Sequence, residues 1–136
     1  MSRSRYLATR AERAVVRSSC THLDLPSDAF DGVLSMWTLC TVPDLAAALA
    51  ELRRVLKRGC SFHFLEHGQA PDPKVARWQS RLEPLNKRLA GGCHLTREIP
   101  KLINDAGFAI EHLDTYYFKG EPKAFGYTFE GRAVKA

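Results

Sequence analysis

The chain holds 136 residues, of which 45% are apolar and 26% charged, with a formal net charge of +5. That composition fits one globular domain with a real core and excludes wholesale disorder. No run approaches the roughly 20 consecutive apolar residues of a membrane span, so a soluble protein is expected.

The positive charge gathers at the start, where Arg3, Arg5, Arg10, Arg13 and Arg17 face a single acid, Glu12. Leu7, Ala11, Ala14 and Val15 recur at helical spacing there. The stretch reads as a solvated helix, because nucleic-acid binding would want aromatics or a reading motif beside the charge; an arm that meets phosphate or an anionic surface, and an organelle transit peptide rich in Arg and Ser and poor in acids, are the alternatives. The four cysteines, Cys20, Cys40, Cys60 and Cys93, stand singly without a CxxC pair. Free thiols in a reduced, cytoplasmic setting are expected. Cys60, His63, Glu66 and His67 follow the order HxxEH on a strand, which matches no standard metal-ligand spacing, and no metal is expected.

Leu25-Pro26-Ser27-Asp28 is turn chemistry. From Phe30 to Cys40 the apolar run has little strict alternation, which predicts a strand covered on both faces, as in a parallel sheet. After Pro43-Asp44, the residues Leu45, Ala48, Leu49, Leu52, Val55 and Leu56 keep the spacing of one helix face. Arg53, Arg54, Lys57 and Arg58 suit the negative end of that helix, and Gly59 can take the left-handed conformation that ends it. A second strand is predicted over Ser61 to Leu65. Strand, helix and strand within about forty residues make a βαβ unit with a right-handed crossover and parallel pairing.

Pro73 to Ala90 reads as helical with Pro84 as a kink or break, ended by Gly91-Gly92. Thr96-Arg97-Glu98 caps a further helix through Asp105, closed at Gly107. Two β-rich runs, Ile110 to Phe118 and Phe125 to Val134, predict an antiparallel pair around Lys119-Gly120-Glu121-Pro122.

The block DAFDGVLSMWTLCTVPDLAAALAELRRVLKRGCSFHFLEHG, followed by GGCHLTREIPKLINDAGF, resembles the class I S-adenosylmethionine (SAM)-dependent methyltransferases of the type 11 kind. It is also similar to their small-molecule subgroup, near thiol-methylating and lipid-associated enzymes. The resemblance implies a partial Rossmann-like α/β sheet with helices on its faces and a C-terminal antiparallel strand pair, all in one domain over 1–136. It further implies SAM as methyl donor and a small-molecule or lipid-like acceptor. The family opens with a strand and a Gly-rich donor loop, whereas here no Gly precedes Gly32. By that comparison the chain starts one βαβ unit late and exposes the edge of its first clear strand to a second copy or a partner chain. A non-catalytic remnant that works as an interaction subunit is the alternative.

Ligands of open α/β sheets bind beyond the carboxyl ends of the strands, which points to Ser35–Thr38 and to Glu66-His67-Gly68. Methyl transfer needs proximity and alignment, plus a base only where the acceptor must lose a proton. Glu66 and His67 are the candidate catalytic pair, able to share one site only if the strand has ended by Glu66. The resemblance places Ser35, Met36 and Trp37 along the donor, with Asp24 as a displaced substitute for the family's adenine-binding acid. Sheet core is the other reading of Met36 and Trp37. By the same logic Trp78, Cys93, His94, Tyr116 and Tyr117 are candidate acceptor-pocket residues, against helix, strand or loop packing as the alternative.

Overall fold

The computed structural model describes residues 18–89 and 92–136. The arginine-rich arm and Gly91 lie outside the described residues. Eight elements follow one another: β1 (Phe30–Met36), α1 (Leu45–Val55), β2 (Leu56–His67), α2 (Pro73–Leu89), α3 (Ile99–Asp105), β3 (Phe108–Tyr117), α4 (Lys123–Gly126) and β4 (Tyr127–Lys135). The strands form one sheet in the order β1-β2-β4-β3. β1 and β2 run parallel across α1, while β4 lies antiparallel to both β2 and β3. The expected βαβ unit and terminal antiparallel pair are therefore both present.

α1 forms because its apolar residues recur on one face, and Leu45, Ala48, Leu49 and Val55 are buried there. Its N-terminus is capped by Asp44, whose Oδ1 accepts from the Ala47 N–H at 3.1 Å. That cap satisfies one of the donors a helix start leaves open. The helix is shorter than its periodicity predicts. Leu56 is already extended and pairs with Phe30, so Lys57 and Arg58 belong to β2 rather than to the last helical turn. Gly59 does adopt a left-handed φ of 73°, but within an excursion of β2 between the pairs Phe30–Leu56 and Gly32–Ser61. Competition for the ladder against β1 ends the helix, not the glycine.

On the inner face of the sheet, Phe62 packs against Phe64 and Phe108 with ring centroids 5.7 and 5.2 Å apart. Leu49, Leu56, Ile99, Ile103 and Ala133 close the same core. Each such large side chain contributes about 1.5–3 kcal/mol through burial. The outer face differs from the expectation of a strand covered on both sides. Leu34 is 66% and Met36 47% exposed, so β1 is clothed on one face only among the described residues. β1 also ends at Met36 rather than Cys40.

Two tethers fix the flanks. Arg54 of α1 donates to Leu23 O (2.9 Å), Leu25 O (2.8 Å) and Glu51. Glu51 in turn accepts from the Leu23 N–H at 2.8 Å, which straps the segment before β1 onto the helix. α2 runs through Pro84 without a break, so of the kink and the break expected there the break does not occur. Its buried Gln79 bonds Ala70 N, Gly68 O and Ala124 O, which locks the chain leaving β2 to the α4 turn. α3 begins at Ile99 after Glu98, and no side chain caps it. Thr96 is occupied elsewhere, giving its N–H and hydroxyl to Glu83 at 3.1 and 2.7 Å. The left-handed Gly107 follows the helix, as expected.

Candidate active site at the strand ends

β2 continues one turn of the ladder further than its apolar run suggests, with Glu66 opposite Phe129 and His67 opposite Thr128. The two candidate catalytic residues therefore sit inside the strand, and adjacent strand residues point to opposite faces. Glu66 shares the inward face of Phe62 and Phe64 and is fully buried. His67 is half-buried and lies under the ring of Trp37, centroid to centroid 5.9 Å. The condition for one shared site is not met, and the pair separates into two environments.

In the first, the Ser35 hydroxyl donates to Glu66 Oε1 at 2.7 Å, while Oε2 has no hydrogen-bond partner. Burial pushes the Glu66 carboxyl above its ordinary range. The Ser35 bond and the nearby amides of Thr38, Leu39 and Cys40 oppose that rise by favouring the charged form. Ser35 also lines a cavity of about 150 Å³ with Cys20, Leu23, Leu34, Thr38, Leu39, Val42, Ala48 and Leu52. Small-molecule sites typically run about 300–1,000 Å³, and no charged side chain lines this one to meet a donor that carries carboxylate, ammonium and sulfonium groups. The described residues that line this cavity do not by themselves fit SAM.

The second environment is larger, about 360 Å³, and opens beyond the ends of β1 and β2 between Trp37, Cys40, Thr41, His67, Asn86, Cys93, Leu95, Glu121 and Phe125. Trp37 reaches it by an unusual backbone: its φ is 48°, a left-handed value for a residue with a bulky side chain. Such strain costs on the order of 1–3 kcal/mol and persists where surrounding structure imposes it, often at functional sites. Here the imposing contacts are visible. The Trp37 N–H extends the ladder to Leu65 O at 2.8 Å, and Phe118 meets its ring edge-on at 6.4 Å. Arg97 holds the following loop by donating to Leu39 O and to Pro43 O. Desolvation makes its guanidinium less easily charged than in water.

Cys40 and Cys93 stand together at the cavity wall, both buried and packed with Leu95. The His94 N–H donates to Cys40 O at 2.6 Å, and Asn86 donates to Cys93 O at 3.1 Å. Interaction with the Cys40 thiol and then with His67 brings Cys93 down to about 5, whereas the Cys93 sulfur and burial push Cys40 up.

Of the residues singled out by sequence, the structure brings Trp37, His67 and Cys93 to this cavity and Ser35 to the smaller one. Met36 points outward and lines neither. Asp24 is exposed, and its neighbours Leu23 and Cys20 take the cavity wall instead. Trp78 is 58% exposed on α2 under Arg81. His94 faces Glu83 at 3.8 Å, and burial lowers its basicity. Tyr116 bonds Glu130 on the outer sheet face, and Tyr117 packs on Tyr127. Cys40 and Asn86 escaped sequence reasoning. Asn86 carried a weak signal, since asparagine is a poor helix former and its place inside α2 is explained by the bond to Cys93.

This sheet order, with ligand-sized space beyond its parallel strand ends, is that of a Rossmann-like α/β fold. Residues 2–64 match the family model described as methyltransferase domain. The chain is 36% identical over 115 residues to thiol S-methyltransferase TMT1B of Rattus norvegicus, covering 84% of this chain and 46% of that protein. It is 34% identical over 106 residues to human thiol S-methyltransferase TMT1A, covering 75% and 43%. A SAM-dependent methyltransferase structure from Methanosarcina mazei superposes with a TM-score of 0.68 at 22% identity, over 87% of this chain and 65% of that one. The chain is similar in sequence to methyltransferases and shares the fold of solved SAM-dependent ones. It spans about half the length of the curated relatives it matches.

Proposed function

We propose that this chain is the acceptor-side portion of a SAM-dependent methyltransferase that methylates a small thiol. The observation that carries the proposal is the cavity under Trp37, which is of small-molecule size and presents one imidazole, His67, among thiol, aromatic and aliphatic walls. An imidazole is the side-chain type suited to exchanging protons near neutral pH. His67 takes the proton of the acceptor thiol, Trp37 and Phe125 sandwich its apolar body, and Asn86 and Arg97 fix the walls. Glu66 does not touch the acceptor in this scheme. Buried behind β1, it holds Ser35 and the Thr38–Cys40 loop in place. Ser35, Thr38 and Leu34 supply one wall for SAM, and the thiol acceptors named for the rat and human relatives support the substrate class.

The test is transfer of label from methyl-labelled SAM to thiophenol. His67→Ala is expected to cut transfer tenfold or more, the scale of a general base. Unchanged transfer would remove the base assignment, and a preference for an amine or alcohol acceptor would overturn the thiol class.

A second reading is favoured by one observation: among the described residues β1 is an outer strand of the sheet, with Phe30, Leu34 and Met36 exposed and no described strand beside its outer edge. Such an edge can pair with another strand. On that reading a second copy or a partner chain covers β1, and sedimentation of the purified chain at rising concentration would show self-association or its absence. Four free cysteines support a reduced, cytoplasmic setting. No helix among the described residues is long and apolar enough to cross a membrane.

A further inference from the structure

Two sulfurs in one cavity wall are more than acceptor binding requires. Cys40 comes from the loop after β1 and Cys93 from the segment before α3, 53 positions apart by their numbers. The fold sets them in one small apolar cluster. The segments that carry them are joined by the backbone bond from His94 N–H to Cys40 O at 2.6 Å, so neither backbone need move far for the sulfurs to meet. Both sulfurs line the same opening, with His67 beside Cys93. The other two cysteines stand apart, Cys20 exposed and Cys60 half-buried beside the core.

We infer that Cys40 and Cys93 form a dithiol–disulfide exchange site, in which a small-molecule disulfide entering the cavity is reduced and the two cysteines become linked. The Cys93 thiol gives its proton to solvent, and the resulting thiolate attacks one sulfur of the disulfide RSSR, forming a Cys93–S–S–R bond as the S–S bond of RSSR breaks and the departing RS⁻ takes up a proton from solvent to become the first RSH. The Cys40 thiol then attacks the Cys93 sulfur. Its proton passes to the departing thiolate, and a second thiol is released. Two protein thiols and one RSSR give one protein disulfide and two RSH, with two electrons moving from the cysteine sulfurs to the small disulfide. Attack by the thiolate and resolution by a neighbouring thiol are the ordinary steps of such exchange. Burial of Cys40 makes it a poor first nucleophile and leaves it positioned to resolve. The linked form ties the Trp37–Pro43 loop to the segment before α3, across the mouth of the cavity. The inference uses the cavity and the two sulfurs alone and stands apart from methyl transfer.

The experiment treats the reduced, folded 136-residue chain with 2-hydroxyethyl disulfide, blocks remaining thiols with an alkylating agent, and maps cysteine peptides by mass spectrometry without reduction. The expected product is a Cys40–Cys93 crosslink, with both halves of the small disulfide recovered as 2-mercaptoethanol. In Cys40→Ser the reaction should stop at a mixed disulfide on Cys93. Adducts confined to Cys20 or Cys60, with Cys40 and Cys93 recovered alkylated, would overturn the inference. Because Cys40→Ser alters a buried position, the wild-type crosslink map decides the matter even if that variant does not fold.

Discussion

Ser35→Ala removes the side-chain hydrogen bond to the buried Glu66 carboxyl. Ser35 is 8% exposed and Glu66 fully buried, so water cannot replace the lost donor. Glu66 Oε2 is already without a partner, and the substitution takes the side-chain donor from Oε1 as well. A hydrogen bond to a charged group contributes about 1.5–3 kcal/mol, and an unsatisfied buried group adds its own desolvation cost. A loss of about 2–3 kcal/mol follows, or roughly 6–9 °C in Tm for a domain of this size. Urea unfolding followed by circular dichroism measures it. The cost should shrink by about 1–2 kcal/mol in a Glu66→Gln background, because a neutral amide needs the hydroxyl less; this is the coupling that a double-mutant cycle reads. A cost under about 0.5 kcal/mol, the ordinary range of surface substitutions, or an unchanged cost beside Glu66→Gln, would refute the account of a carboxylate held by Ser35.

Further outcomes follow from the same contacts. Burial raises Glu66 in the folded state, so its contribution favours stability at low pH and is lost as pH rises through the folded value. Glu66→Gln should therefore flatten the alkaline side of the stability profile. Glu51 shows the opposite sign: Arg54 first, and then the Leu23 amide, lower it from 4.5 to about 2, so its contribution is present above pH 4.5 and lost as pH falls toward 2. Glu51→Gln should weaken that acid dependence in a pH series of thermal melts. Gly68→Ala should destabilise by about 1–3 kcal/mol, the usual cost of overpacking, because its Cβ would come within 2.5 Å of the Phe129 ring and 2.6 Å of Arg97 O. Differential scanning calorimetry would check it, and a change under 0.5 kcal/mol would contradict the packing described at the end of β2.

The parts of this fold that repeat a pattern were legible in the sequence, and the parts that depend on distant contacts were not. The α1 periodicity, the strands on either side of it and the terminal pair are local signals, and they placed the βαβ unit and the antiparallel ladder. The end of α1 was misplaced because Leu56 is claimed by Phe30, a partner 26 positions earlier in the numbering. Glu66 and His67 were read as strand-end neighbours, yet β4 continues the ladder past them, and that pairing lies more than sixty positions away in sequence. The run Phe30 to Cys40 ended early because Trp37 turns left-handed to cover His67, which no residue preference for tryptophan announces. Of the acceptor candidates, Cys93 reached the cavity through its contact with Cys40. The aromatics Trp78, Tyr116 and Tyr117 were chosen by type; Trp78 lies exposed on α2 beside Arg81, and the sheet register sets Tyr116 and Tyr117 against Glu130 and Tyr127.

The most direct test of the acceptor cavity is a nuclear magnetic resonance titration of the isotope-labelled chain with thioanisole, the methylated form of thiophenol and free of redox chemistry. The account predicts shifts concentrated at the Trp37 indole, His67, Asn86, Cys93 and Leu95. Shifts confined to the outer sheet cleft between His63, His112 and Arg132, with the Trp37 indole unmoved, would contradict it.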